Sequence, residues 1–112
     1  MKDLQRTAEP VIVALPDEID AVNAESVYEQ LSAAFVPGVT VVVADMTSTR
    51  FCDSRGAWQL TLAHQHATAR GQLRVAVPPG GVRRVLELLG LDQVLHLYPT
   101  VAAALADDRH SV

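Results

Sequence analysis

The chain has 112 residues, suits one domain and can bury a real core without disulfides or metals to staple it. Hydrophobic residues make up 49% and charged residues 20%, which is a globular composition, and with aromatics at only 4% the core must be built from Val, Leu, Ile and Ala. A net charge of −4 argues against a nucleic-acid footprint or an anionic membrane surface, both of which call for clustered Lys and Arg. The single cysteine, Cys52, allows no internal disulfide and fits a reducing cytosol. The opening MKDLQRTAEP has no apolar segment of a signal peptide, and no run approaches the roughly 20 apolar residues of a membrane span. The expectation is a soluble, cytoplasmic domain.

Residues 4–8 form a weak edge-strand candidate. Val11–Leu15 is β-branched, bounded by Pro10 and Pro16, and predicts a strand. Residues 17–20 make a polar corner. From Asn23 to Phe35, Val27, Leu31, Ala34 and Phe35 recur at helical spacing, with Asn23 as a capping residue and Pro37-Gly38 as the stop. The run 39–44 (VTVVVA) is continuously apolar, as in a strand covered on both faces. Residues 46–53 read as a loop anchored by Phe51. A second helix spans residues 56–70 and closes at Gly71. Residues 73–77 (LRVAV) form another core strand, stopped by Pro78-Pro79. A third helix covers 82–89, ending at Gly90; a short strand covers 94–97; and a last helix covers 100–106, capped by Thr100, before a frayed DDRHSV tail. Strands alternating with helices imply a mostly parallel sheet with right-handed crossovers. No linker or repeat divides the chain, so one domain with its core at about residues 10–106 is expected.

The stretch "RFCDSRGAW", residues 50–58, holds the chemistry. Asp53 or Ser54 can cap the helix that follows. The same geometry suits a modified serine, because a helix N-terminus carries partial positive charge and free N–H donors. A phosphoryl group there brings about −1.5 to −2 charges to whatever surface docks. A serine nucleophile needs a base and an oxyanion hole. There is no G-x-S-x-G elbow, and His64 and His66 lie nearly three turns along the helix. Pro78-Pro79-Gly80-Gly81 ahead of Arg83 and Arg84 lacks the spacing of a phosphate-cradling motif and reads as a strand-to-helix turn. His64 and His66 point to different helix faces, and no Cys or His cluster has zinc spacing. Cys52 reads as a small buried hydrophobe. On the helical wheel Ala57, Leu60, Thr61, His64 and Ala67 form one stripe, and Trp58, Leu62 and Gln65 another. Trp58 therefore either packs under a neighbouring loop or stands exposed beside Ser54, where it would look like a binding hot spot.

Taken together, about residues 10–106 resemble STAS domains, and among them the bacterial anti-anti-sigma factors (anti-sigma factor antagonists). "VIVALPDEID" is similar to the family's strand and G-E-[LI]-D corner, with Asp17 where glycine is usual. "VVVADMTSTRFCDSRG" resembles the central strand followed by D-S-[ST]-G, and "RGQLRVAVPPGGVRRVLELLGLDQVLHLYPTVAAAL" the closing half. The resemblance implies an α/β STAS fold, a small mixed, mostly parallel sheet packed on one side by about four helices. It implies no catalysis, no cofactor and no resident metal. It implies binding to an anti-sigma factor with an ATPase and serine-kinase domain, which frees a sigma factor. Phosphorylation of the motif serine ends that binding, and a phosphatase restores it. Carried over by position, the phosphoacceptor is Ser54, with Asp20, Asp53, Ser54, Arg55, Gly56 and Trp58 on the partner surface. Arg55 stands where the family has a second Ser or Thr and can pair with a phosphate on Ser54. Trp58 stands where a small residue is common. The alternative is a STAS adaptor without phosphorylation, regulating a transporter complex or signalling assembly. An enzyme with a Ser54 or Cys52 nucleophile is the third class.

Overall fold

A computed structural model of the chain describes residues 9–107. The expected strand at residues 4–8 lies outside them, as does the tail from residue 108. Six strands and four helices follow in chain order among the described residues: β1 (Val11–Ala14), β2 (Glu18–Ile19), α1 (Ala24–Ala33), β3 (Val41–Asp45), β4 (Phe51–Cys52), α2 (Ser54–Ala67), β5 (Gln72–Ala76), α3 (Gly81–Leu88), β6 (His96–Tyr98) and α4 (Val101–Ala106). A 3-10 turn at Leu91–Gln93 joins α3 to β6.

The main sheet has the order β1-β3-β5-β6, and every neighbouring pair is parallel. Side chains alternate across it, and each face has its own core. Val42, Ala44, Leu73 and Val75 join Val27 and Leu31 of α1, Ala57, Leu60 and Ala63 of α2, and Val82 and Leu86 of α3. Val41, Val43, Ala76 and Tyr98 pack with Ala104 of α4 on the other face. The uninterrupted apolar run of β3 is thus explained, since it is covered on both sides. The resemblance implies about four helices on one side of the sheet; three, α1 to α3, lie there, and α4 packs on the opposite face. Arg74, in the middle of β5, is 1% exposed on this second face. Its guanidinium donates to the Ala104 carbonyl at 2.7 Å and to the Gln72 side-chain oxygen at 2.7 Å. Beyond α4, Asp107 accepts a hydrogen bond from the Tyr98 hydroxyl, so the tail's first residue is tied down rather than frayed.

The boundaries shift by one to three residues from the sequence reading, and three local expectations change. The polar corner contains a real strand: β2 pairs in parallel with β4, Glu18 opposite Phe51 and Ile19 opposite Cys52. Two residues are too few for a period-2 pattern to register. Phe51 does not anchor its loop; it is 49% exposed, and Met46, Thr49 and Cys52 are the buried side chains there. Pleating turns Cys52 inward, which sends Phe51 outward. Asn23 does not cap α1 through its side chain. Its amide instead closes the corner, accepting from the Asp20 N–H at 3.0 Å and donating to the Glu18 carbonyl at 2.8 Å. Thr100 does cap α4, accepting from the Ala103 N–H at 3.0 Å. Gly90 takes the left-handed φ of 77° that ends α3 and that a side chain would disfavour. At Gly71 a Cβ would lie 2.0 Å from the Thr40 carbonyl oxygen, so only glycine lets the chain pass that close to Thr40 as it enters β5.

Candidate functional site

The short β2–β4 pair builds the site. Because Ile19 pairs with Cys52 in parallel, the chain leaves both strands at the same level, and the Asp53 N–H donates to the Ile19 carbonyl at 3.1 Å. The Asp20 corner and the start of α2 are thereby held side by side, although 33 residues separate Asp20 from Asp53 in sequence. Asp20 spends its carboxylate on its own turn, accepting from the Val22 N–H at 2.9 Å.

Asp53 is the helix cap. One of its carboxylate oxygens accepts from the Arg55 N–H at 3.0 Å and the Gly56 N–H at 3.1 Å. Ser54, the first helical residue, is exposed, and its hydroxyl has no hydrogen-bond partner among the described residues. The two readings of the D-S pair are therefore divided between two residues: the acid satisfies the backbone, and the serine is left free. Arg55 is exposed next to it.

Gly56 explains why a glycine follows. A Cβ there would lie 2.5 Å from Ile19 Cγ2 and 2.8 Å from Cys52 Sγ. Its absence lets the first turn of α2 press onto the β2–β4 pair, which is what brings Ser54 to the Asp20 corner. Cys52 itself is 2% exposed, and burial, then the negative charge of Asp53, push its thiol up to about 11. A thiol with that pKa holds almost no thiolate at neutral pH. In the native protein a thiol-reactive dye is expected to label Cys52 only at the rate of unfolding, whereas denaturant should make labelling immediate; fast labelling of the folded chain would contradict this burial.

Trp58 stands one turn beyond Ser54 and is 57% exposed, so the second apolar stripe of α2 is not all buried. Ser54 and Trp58 form a ridge with a hollow on each side. One hollow, of about 420 Å³, is lined by Ala21, Ala24, Glu25, Arg55 and Gln59 as well as the ridge. The other, of about 280 Å³, lies between α2 and the turn that follows α3, with Ala57, Thr61, Leu89 and Leu91 completing it. Glu25, Gln59, Leu89 and Leu91 were not singled out from the sequence. The available signal was Leu88, which falls off the helical stripe of Val82 and Leu86 and so is left apolar and exposed at the end of α3.

The histidines are elsewhere. Ten residues of helix put His64 about 15 Å along the axis from Ser54. Its ring meets His96 edge-on, 5.7 Å between centroids, and its Nδ1 is buried without a partner among the described residues. Burial lowers its pKa. His66 packs edge-on against Tyr28. His110 lies outside the described residues. No described histidine is thus positioned as a base for Ser54. The expected strand-to-helix turn is there: Gly80 lies in it and Gly81 opens α3. A wider hollow of about 770 Å³ opens there, but Arg83 on its wall is bonded to Glu87 and to the Val77 carbonyl. No helix among the described residues is long and apolar enough to cross a membrane.

Comparison with known proteins agrees with this geometry. No curated protein matches the chain. Among solved structures, an anti-sigma factor antagonist from Mycobacterium paratuberculosis superposes with a TM-score of 0.79 at 26% identity, over 90% of this chain and 86% of that one. The anti-sigma factor antagonist SpoIIAA in its unphosphorylated form shares the fold at a TM-score of 0.63 and 22% identity, over 82% of each chain. A sulfate transporter family protein from Wolinella succinogenes shares it at 0.68 and 17% identity, over 87% of this chain and 82% of that one. The STAS domain model matches residues 1–104, and with the parallel sheet, the β2–β4 corner and the D-S-x-G turn all in place, the chain belongs to the STAS domain family.

Proposed function

We propose that this protein is an anti-sigma factor antagonist. It binds an anti-sigma factor that carries an ATPase and serine-kinase domain, through the surface around Ser54, and phosphorylation of Ser54 ends that binding. The observation that carries this reading is the free, exposed Ser54 hydroxyl at the start of α2, beside an Asp53 that already does the capping. The likeness to the Mycobacterium paratuberculosis antagonist supports the general role.

The chemistry asks little of this chain. Ser54 Oγ forms a bond to the γ-phosphorus of ATP, ADP leaves, and the hydroxyl proton passes to a base of the kinase. A phosphatase reverses the state by directing water onto the phosphorus and releasing inorganic phosphate. The consequence is electrostatic. Two first-turn N–H donors that would otherwise welcome a phosphate are taken by Asp53, so its carboxylate faces the new charge instead. Arg55 is the neighbouring cation that can offset part of it. A charge of about −1.5 to −2 placed in a docked interface costs several kcal/mol unless paired, enough to shift affinity by orders of magnitude.

The test uses three baits in native cytosol: wild type, Ser54→Ala and Ser54→Asp, each first shown to melt like wild type. An ATPase-domain anti-sigma factor should be retained by the first two and lost by the third. With purified partner, Ser54→Asp should weaken binding by about 100-fold, or ~2.7 kcal/mol. ATP and the same partner should then phosphorylate wild type and not Ser54→Ala. Identical partners on all three baits, transporter subunits in particular, would instead mark the turn as an ordinary helix cap in an adaptor domain.

A further inference from the structure

The hollow between α2 and the turn after α3 is not used by the phosphorylation chemistry, yet it begins at the same serine. Its lining of Ser54, Ala57, Trp58, Thr61, Leu89 and Leu91 contains no charged side chain. Trp58 and Leu89 remain 57% and 48% exposed, and Leu88 beside them is 72% exposed. Such clustered apolar exposure is costly on a free surface and typical of one that is covered in a complex. The rim on the other side of the ridge differs in kind. Among the described residues, the Asp20 corner and the segments beside it carry Asp17, Glu18, Asp20, Glu25 and Asp53, five acids against the two bases Arg50 and Arg55. A surface that is apolar on one flank of Ser54 and net acidic on the other is complementary to one sort of occupant.

We propose that the anti-sigma factor seats an apolar side chain of leucine, methionine or phenylalanine size in the groove between α2 and the turn after α3, against Trp58 and Leu89, while basic groups of the same partner face the acidic corner. This rests on the reading of the protein as an anti-sigma factor antagonist and adds to it the contact that sets affinity and partner choice. Continuity argues for that occupant. Ser54 lines both hollows, so a domain that encloses its hydroxyl covers the mouth of the groove as well. The groove's volume of about 280 Å³ has room for one large side chain and not for a buried helix. The charge pattern argues for the basic flank, because apolar anchors supply affinity while complementary charges supply rate and orientation. Trp58 then acts as a partner-selecting residue, one wall of the anchor's pocket.

Trp58 is also the chain's only tryptophan, so it reports on its own burial. The experiment titrates the purified anti-sigma factor into wild type, Trp58→Ala, Leu89→Ser and the control Val36→Ser, which alters an equally exposed apolar residue beyond the end of α1. Emission, selectively excited with a partner whose own tryptophans are replaced by phenylalanine, should shift to the blue on binding. Trp58→Ala and Leu89→Ser should each weaken binding at least tenfold with melting temperatures unchanged, and Val36→Ser should bind as wild type. Added salt should slow association. If Leu89→Ser binds like wild type and emission does not move, the groove is empty in the complex, even where Ser54→Asp still abolishes binding and so upholds the switch. If the anti-sigma factor binds none of the proteins, wild type included, the underlying reading falls and the groove assignment falls with it.

Discussion

Replacing Arg74 with alanine is expected to destabilise the fold by about 3 kcal/mol, measured by urea unfolding followed by circular dichroism. The side chain is 1% exposed in the middle of β5, and its stem fills the layer between the sheet and α4. Truncation leaves a cavity there, worth roughly 2–5 kcal/mol for large buried side chains. It also strips the Ala104 carbonyl of its donor, a loss of about 1–3 kcal/mol for a buried acceptor. Removing the desolvated guanidinium itself gives part of this back, which keeps the net near the middle of the range. Arg74→Met separates the contributions, since it keeps most of the volume and none of the hydrogen bonds; about half the loss should remain. Amide exchange should speed first in α4, a six-residue helix with little hold of its own. A loss under 1 kcal/mol, or α4 protection unchanged in Arg74→Ala, would show that Arg74 does not hold α4 on the sheet.

The second large effect lies in the site. Gly56→Ala should cost about 2 kcal/mol, against the usual expectation for a helix. In an open helical position alanine is favoured over glycine by up to about 1 kcal/mol. Here the added Cβ meets Ile19 Cγ2 at 2.5 Å and Cys52 Sγ at 2.8 Å, and both neighbours are buried with no room to retreat. Overpacking of this kind costs about 1–3 kcal/mol, and at such distances the upper part of the range applies before the helical gain is subtracted. A double-mutant cycle with Ile19→Ala identifies the cause. Removing Ile19 Cγ2 makes space for the new methyl, so the pair should cost at least about 1 kcal/mol less than the sum of its parts. Strict additivity would mean that the first turn of α2 is not pressed onto the β2–β4 pair. Because that contact also sets where Ser54 sits, Gly56→Ala should weaken partner binding beyond its effect on stability.

The element order of the main sheet was legible in the sequence because burial on both faces writes a continuous apolar run, as at residues 41–44, and burial on one face writes a helical stripe, as at Val27 and Leu31. The serine turn was legible as well, since Asp, Ser and Gly at a strand-to-helix junction each have a local reason to be there. What stayed hidden was of another kind. The two-residue strand β2 has no period to detect, and its meaning comes wholly from pairing with β4 across 33 positions, Ile19 opposite Cys52. Phe51 and Cys52 are both apolar, and only the pleat of that pair decides that the thiol goes in and the ring goes out.

Composition and local pattern thus determined the family of architecture, the helix cap at Thr100 and the strand-to-helix junction that holds Asp53 and Ser54, because these follow from short-range geometry and the sign of each residue's transfer free energy; which of the two caps α2 and which stays free was left to the structure. Tertiary structure decided the rest. It put α4 on the far face of the sheet over a buried Arg74, made Gly56 a packing requirement, and set Trp58 and Leu89 facing one groove. Each of these depends on which surfaces meet after the chain has closed on itself, and a residue's type does not say which distant residue it will touch.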